Sequence, residues 1–381
     1  MRRTATAEVG STREVKRSSR DPAALRDGLQ AWLATKLPAG SGPQVGEIAT
    51  TSATGMSSET LLFDASWNES GAQRTERLVA RLAPSLDDAP VFPSYDLRRQ
   101  FRTISLVGEL TDVPVPAMWW AEDDPDVLGT PFFVMGRVDG DPPPDVMPYN
   151  FGDSWLYDAS PEDQRRLQDS SVDVLVALHA IDDPVERFGF LDLPSPGPGT
   201  ATGDDALRRH VAHTREWYDW TTKDGLRSPL IERAFAWLEA NWPSSAGETV
   251  LVWGDSRIGN VLYRDFEPTA VLDWEMASLG PPELDVAWMI YAHEVFEHLA
   301  KGFGAGGMPQ FMRESDVVST YGSRSGRTLA DLGFFRTYAA VQYAIVFLRT
   351  GWRGVHFGER EMPADPEEFL YNREQLEEMT G

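Results

Sequence analysis

Residues 252–275 read VWGDSRIGNVLYRDFEPTAVLDWE. Asp255 is followed by Asn260 five residues on and by Asp273 thirteen further, with the apolar runs VLY and TAVLD on either side of RDFEP. Two such runs about a turn-forming segment predict a β-hairpin. A loop leading into a hairpin of that length brings its own start back to the end of the second strand, so Asp255, Asn260 and Asp273 are expected to converge. Asp and Asn also populate turns because their side chains bond the local backbone, which accounts for any one of the three but not for all three at this spacing. An Asp that orients a hydroxyl, with an Asn and a second Asp as oxygen ligands for Mg²⁺, is what phosphoryl transfer asks of a protein.

Outward from this stretch the 381-residue chain divides in two. In SRDPAALRDGLQAWLATKLP, Asp21 reads as an N-cap and Pro22 as the first helical residue, with Leu25, Leu29, Trp32 and Leu33 as the apolar stripe. Strand-like runs follow at VGEIATTS, ETLLFDASW and RLVARLA, with the turn ATGMSS between the first two. A helix over SYDLRRQFRTISLVGEL and two more strands, VPAMWWAE and PFFVMGRV, complete an α+β unit. After the breaker DGDPPP the pattern is mainly helical, interrupted by the opening stretch. The expected organisation is a basic, disordered tail over 1–20, a β-rich lobe over 21–138 and a helical lobe over 139–381, with no internal repeat.

Lys and Arg total 35 against 59 Asp and Glu, a net charge of −24, which argues against nucleic acid or anionic membranes held through a broad basic surface. Cysteine is absent, excluding disulfides and thiolate metal sites. No 18-residue apolar run occurs, and the basic first residues carry no apolar h-region, so a cytoplasmic protein is expected.

Three motifs point elsewhere and fail on context. GFGAGG (302–307) matches a dinucleotide fingerprint but follows a helix rather than a strand, which makes it a loop. His293 and His298 in HEVFEH stand five apart, about 140° around a helix, and so do not share a face for zinc. GDS (254–256) suggests a serine hydrolase, yet position 258 is Ile where the nucleophile elbow needs Gly, so Ser256 is not expected to act as a nucleophile.

GDSRIGN and VLDWE resemble the catalytic loop and metal-binding segment of the aminoglycoside phosphotransferase and choline kinase-like families, which have the protein-kinase-like fold. The likeness is greater to the phosphotransferase-like domain found fused to acyl-CoA dehydrogenases. The resemblance implies a bilobal α+β fold and an ATP- and Mg²⁺-dependent kinase of a small-molecule hydroxyl. It makes Asp255 the catalytic residue, Asn260 and Asp273 the metal ligands, and Asp285 in GPPELDVAW a structural Asp. In the first lobe it aligns Gly55, Ser57 and Ser58 with the phosphate-covering loop and Arg81 with the third-strand Lys. Met135, in VMGRVDG, falls at the hinge that receives the adenine. Three positions depart from the pattern: Gln100 where a helical Glu pairs with that basic side chain, with Asp96 one turn earlier as a substitute; Trp253 in place of His; and Glu275 in place of the Gly of DFG.

Aromatics in DPPPDVMPYNFGDSWLYDAS and TREWYDW make Trp155, Tyr157, Trp217 and Tyr218 candidate walls for the acceptor, although such residues are more often core. The acidic surface suits a cationic acceptor, while a neutral or acyl-bearing hydroxyl compound stays open. The competing class is a kinase-fold nucleotide- or ligand-binding protein without catalysis, prompted by Gln100 and Trp253.

Overall fold

In the computed structural model, residues 20–50, 59–145, 148–193, 205–244 and 247–381 are described. The expected tail and the residues Gly55, Ser57 and Ser58 lie outside them. The first helix, α1 (Pro22–Lys36), starts as its sequence dictates, with the Asp21 carboxylate accepting from Ala23 N. It buries the stripe Leu25, Leu29, Trp32 and Leu33. The first strand-like run breaks into β1 (Gln44–Val45) and β2 (Ala49–Thr50), both paired with β3 (Glu59–Glu69). β3 turns back into β4 (Ala72–Leu82) through Ser70 and Gly71, both at positive φ, as a two-residue hairpin turn requires. Helix α2 (Leu97–Leu110) then leads to β5 (Met118–Glu122) and β6 (Phe132–Gly136). The antiparallel sheet runs β1-β3-β4-β6-β5.

This sheet has two buried faces. One packs on α1, with Leu61, Phe63, Leu78, Ala80 and Phe132 meeting the α1 stripe. The other, through Val79, Phe133 and Met135, joins α2 and the core of the second lobe. Alternation along the strands sends neighbouring residues to opposite faces, so β4 serves both cores.

The second lobe contains α3 (Pro161–His179), α4 (Pro184–Phe188), α5 (Asp205–Thr221) and α6 (Pro229–Ala240) ahead of the opening stretch. That stretch is a short strand β7 (Val250–Val252), a loop, and the hairpin β8 (Val261–Arg264) and β9 (Glu267–Val271), turning at Asp265 and Phe266 with positive φ. β7 pairs with β10 (Ser278–Gly280), and α7 (Glu283–Gly302), α8 (Glu314–Ser325), α9 (Leu332–His356) and α10 (Arg373–Thr380) follow. GFGAGG is the loop after α7, as read. Backbone bonds tie the hairpin to the segment that joins the lobes and to the first lobe: Asp141 and Tyr263 exchange bonds of 2.9 and 3.2 Å, and Val271 N donates to Pro114 O at 2.8 Å. Among the described residues, no helix is long and apolar enough to cross a membrane.

His293 is buried against Tyr149 and His298 lies 3.8 Å from Glu374, so neither forms a zinc pair. His210, on α5, is buried with Nδ1 2.7 Å from the Tyr338 hydroxyl of α9. Burial, and secondarily His213, lowers its pKa from 6.5 to about 4. A depressed histidine pKa means that the unfolded chain takes up the proton first. The stability is therefore complete above pH 6.5 and is lost as pH falls toward 4. His210→Gln keeps a partner for Tyr338 and removes the titration. Denaturant unfolding across that window is expected to show a shallower acid slope in the variant, by up to about 1.4 kcal/mol per pH unit.

Candidate active site

The residues on either side of Asp255 are positioned by one carboxylate. Asp285, fully buried in the first turn of α7, accepts Gly254 N at Oδ1 and Trp253 N at Oδ2, each at 2.8 Å. His179 Nε2 lies 3.1 Å from the same Oδ2, and its Nδ1 is 2.8 Å from Tyr321 OH. Ser256 donates from Oγ to Asp285 O at 2.7 Å and is wholly buried, so its hydroxyl braces the loop and is closed to a substrate. Gly254 sits at φ +91°, and a Cβ there would stand 2.3 Å from Met276 O. The loop thus rests directly on the backbone of the segment that follows Asp273.

That contact is repeated by Trp253. Its buried indole donates from Nε1 to Leu272 O at 3.0 Å and to Asp273 O at 3.2 Å. The departure from His therefore supplies an N–H that joins the two acidic segments. Asn260 adds a third tie, with Nδ2 donating to Asp255 O at 3.1 Å and its own carbonyl accepting from Leu272 N at 2.9 Å. The three residues of the opening stretch are brought together as their spacing implies. Asp273 itself adopts φ +59°, a left-handed conformation that Asp tolerates better than most residues and that these bonds hold in place.

Asp255 is fixed from two sides. Trp288 Nε1 donates to Oδ1 at 2.8 Å, and Arg257 Nε donates to Oδ1 and Oδ2 at 3.1 and 3.2 Å. Arg257 also bonds Asp145, whose carboxylate crowds Gly259 so closely that any Cβ at 259 would meet it. Burial opposes the Arg257 charge, but the Asp255 and Asp145 carboxylates outweigh it and hold its pKa well above the ordinary arginine value. Asp145, Arg257 and Trp288 were given no role from sequence. Arg257, inside the motif two residues after Asp255, is the one that carried a signal.

Between the lobes lies a cleft of about 280 Å³. Arg81, Met135, Gln100, Asn260 and Asp273 all line it. Arg81 faces inward: Nη2 donates to Asp273 Oδ1 at 3.0 Å and Nη1 to Thr60 Oγ1 at 3.2 Å. Asp96 does not substitute for the missing helical Glu, because its carboxylate caps α2 by accepting Arg99 N at 2.8 Å. Asn260 and Asp273 present oxygen donors to one cavity, and no group of three His, Cys, Asp or Glu suited to a metal occurs among the described residues. Such a sparse oxygen set fits Mg²⁺, which keeps waters and shares phosphate oxygens.

A second hollow of about 160 Å³ shares the walls Gln100 and Trp274 with this cleft and is bounded by Phe92, Tyr95, Trp217 and Glu275. The expected aromatic wall is not formed as one surface. Trp217 lines this hollow and stacks 4.9 Å from Phe92, but Tyr218 is core, with its hydroxyl bonded to Ser228 N and O. Trp155 packs on Tyr263 and Phe266 of the hairpin, and the Tyr157 hydroxyl lies beside Gly306. Aromatic content alone does not separate a pocket wall from core packing.

Residues 61–315 match the model of the phosphotransferase enzyme family. The chain belongs to that family. It is 28% identical over 264 residues to a probable acyl-CoA dehydrogenase of Arabidopsis thaliana, a match covering 65% of this chain and 30% of the plant protein. The chain thus spans less than a third of that relative. A Ralstonia eutropha protein assigned as an aminoglycoside phosphotransferase superposes with a TM-score of 0.64 at 22% identity, covering 93% of this chain and 96% of the other. The aminoglycoside phosphotransferase APH(4)-Ia, solved with ADP and hygromycin B, gives 0.53 at 14% identity, covering 93% and 98%. At these identities the likeness is one of fold: kinase-like, bilobal and α+β.

Removing the Asp285 carboxylate strands two buried N–H groups and a buried histidine. Asp285→Ala is expected to cost about 3–5 kcal/mol in denaturant unfolding, with Asp285→Asn costing less because one acceptor oxygen remains.

Proposed function

We propose that this protein transfers the γ-phosphoryl group of ATP, with Mg²⁺, to a hydroxyl of a small molecule. The observation that carries the reading is that Asn260 bonds the backbone of Asp255, Trp253 bonds that of Asp273, and Asn260, Asp273 and Arg81 line one interlobe cleft. Family membership supports it.

Asn260 and Asp273 would hold the cation, whose charge offsets that of the phosphates. Met135 and the sheet wall bound the space for the base, and Arg81 is the cation aimed at phosphate oxygens. Asp255, oriented by Trp288 and Arg257, aligns the acceptor hydroxyl and takes its proton as the phosphoryl group moves. Gly55, Ser57 and Ser58 are assigned to cover the phosphates from the first lobe.

The hollow lined by Phe92, Tyr95, Trp217 and Glu275 is the recess we assign to the acceptor, because its floor, Trp274 to Ala277, is the segment against which Gly254 packs. It mixes aromatic faces with a carboxylate, which accommodates amino alcohols, sugars and aminoglycosides. Hydroxyacyl compounds are tested as well, because the acceptor class is open and a relative is named a probable acyl-CoA dehydrogenase.

An ADP-release screen over these four classes, with and without Mg²⁺, tests the reading. On the acceptor it identifies, Asp255→Asn is expected to lower kcat by about 10²–10⁴-fold while nucleotide affinity stays near that of the wild type. Wild-type turnover in that variant would remove Asp255 from the chemistry. Mg²⁺-dependent nucleotide binding with no ADP release on any acceptor would favour the non-catalytic binding protein instead.

A further inference from the structure

Arg81 and Asp273 form an ion pair at 3.0 Å with side chains only 11% and 13% exposed, so water screens it weakly. Arg81 has no acid on α2 to turn to. Position 100, which faces the same cleft, is Gln; Asp96 is committed to its own helix cap, and Glu109, the one acid within α2, is exposed at the far end. Asp273 Oδ1, the oxygen that receives Arg81, belongs to the carboxylate assigned to the cation. A guanidinium and a divalent cation brought to that one part-buried carboxylate repel each other, and an added anion relieves the repulsion. Nucleotide phosphates supply that anion.

Building on the phosphotransferase reading, we infer that Arg81 is an exchanging latch. It neutralises Asp273 while the cleft is empty, and passes to the phosphates when metal and nucleotide arrive together. Gln100 imposes this exchange, because the helix offers Arg81 no standing partner. The consequence is obligatory synergy: metal alone competes with Arg81 for Asp273, and nucleotide alone must draw Arg81 off an unneutralised carboxylate. Each ligand therefore strengthens the other, within the range of about 5- to 150-fold usual for coupled sites.

The test measures binding rather than turnover. Mn²⁺, a paramagnetic stand-in for Mg²⁺, is titrated alone by water-proton relaxation into wild type, Gln100→Glu and Arg81→Gln, then again at saturating ADP. Gln100→Glu gives Arg81 a carboxylate on α2, and Arg81→Gln removes the latch. Both are expected to tighten Mn²⁺ binding in the absence of ADP by about fivefold or more, and to shrink the gain that ADP brings. Arg81→Gln should also weaken ADP itself, whereas Gln100→Glu should not. Unchanged metal-only affinity in the two variants would overturn the inference. The metal-only arm reads the ion pair by itself, and wild-type ADP binding in the second arm tests the phosphotransferase reading separately.

Discussion

The site depends on the buried Asp285 carboxylate at the start of α7. Its two oxygens take the N–H groups of Trp253 and Gly254, and its backbone carbonyl takes the Ser256 hydroxyl, so the residues on both sides of Asp255 are held by Asp285 while Asp255 itself is not. A charge without solvent is costly unless its lone pairs are filled. Here His179 completes the filling, and Tyr321 fixes His179 in turn. These bonds hold the loop on either side of Asp255, whose own carboxylate accepts from Trp288 and Arg257 instead.

From that anchor the rest follows by contact. Gly254 can rest on Met276 O only without a side chain, and this close approach sets the spacing between the Asp255 loop and the segment after Asp273. Trp253 ties the same two segments by its indole N–H. The hairpin between them is fastened to the first lobe at Pro114 and to the joining segment at Asp141, and the interlobe cleft has residues of both lobes in its walls. Two charge clusters result: Arg257 bridges Asp145 and Asp255 beside the loop, and Arg81 pairs with Asp273 in the cleft. Arg257 is held in part by Asp255, and Arg81 by Asp273, both carboxylates of the proposed reaction.

Legibility in the sequence tracked locality. Asp21 with Pro22, the α1 stripe and the alternation of β3 and β4 are set by residues a few positions apart, and each formed where the pattern put it. The short helix α4 and α8 were not foreseen, since a five-residue helix and the polar ESDVVSTYGSRS carry weak periodic signals. Trp155, Tyr157, Trp217 and Tyr218 looked equivalent as a composition, but depth within the fold separated them: Tyr218 went to the core, Trp155 to the hairpin, and Trp217 to a hollow. Asp145 was invisible because its partner Arg257 lies 112 residues away.

By itself the sequence determined the α+β division, the hairpin after Asp255 and the convergence of Asp255, Asn260 and Asp273, because strand length, turn chemistry and spacing are properties of adjacent residues. Only the tertiary structure decided what those side chains touch. Arg81 found Asp273 across 192 positions, Trp288 found Asp255, and Trp253 took up the carbonyls of Leu272 and Asp273. Such pairings arise from packing lobes and helices together, and a partner chosen by packing leaves no mark on the residues beside it.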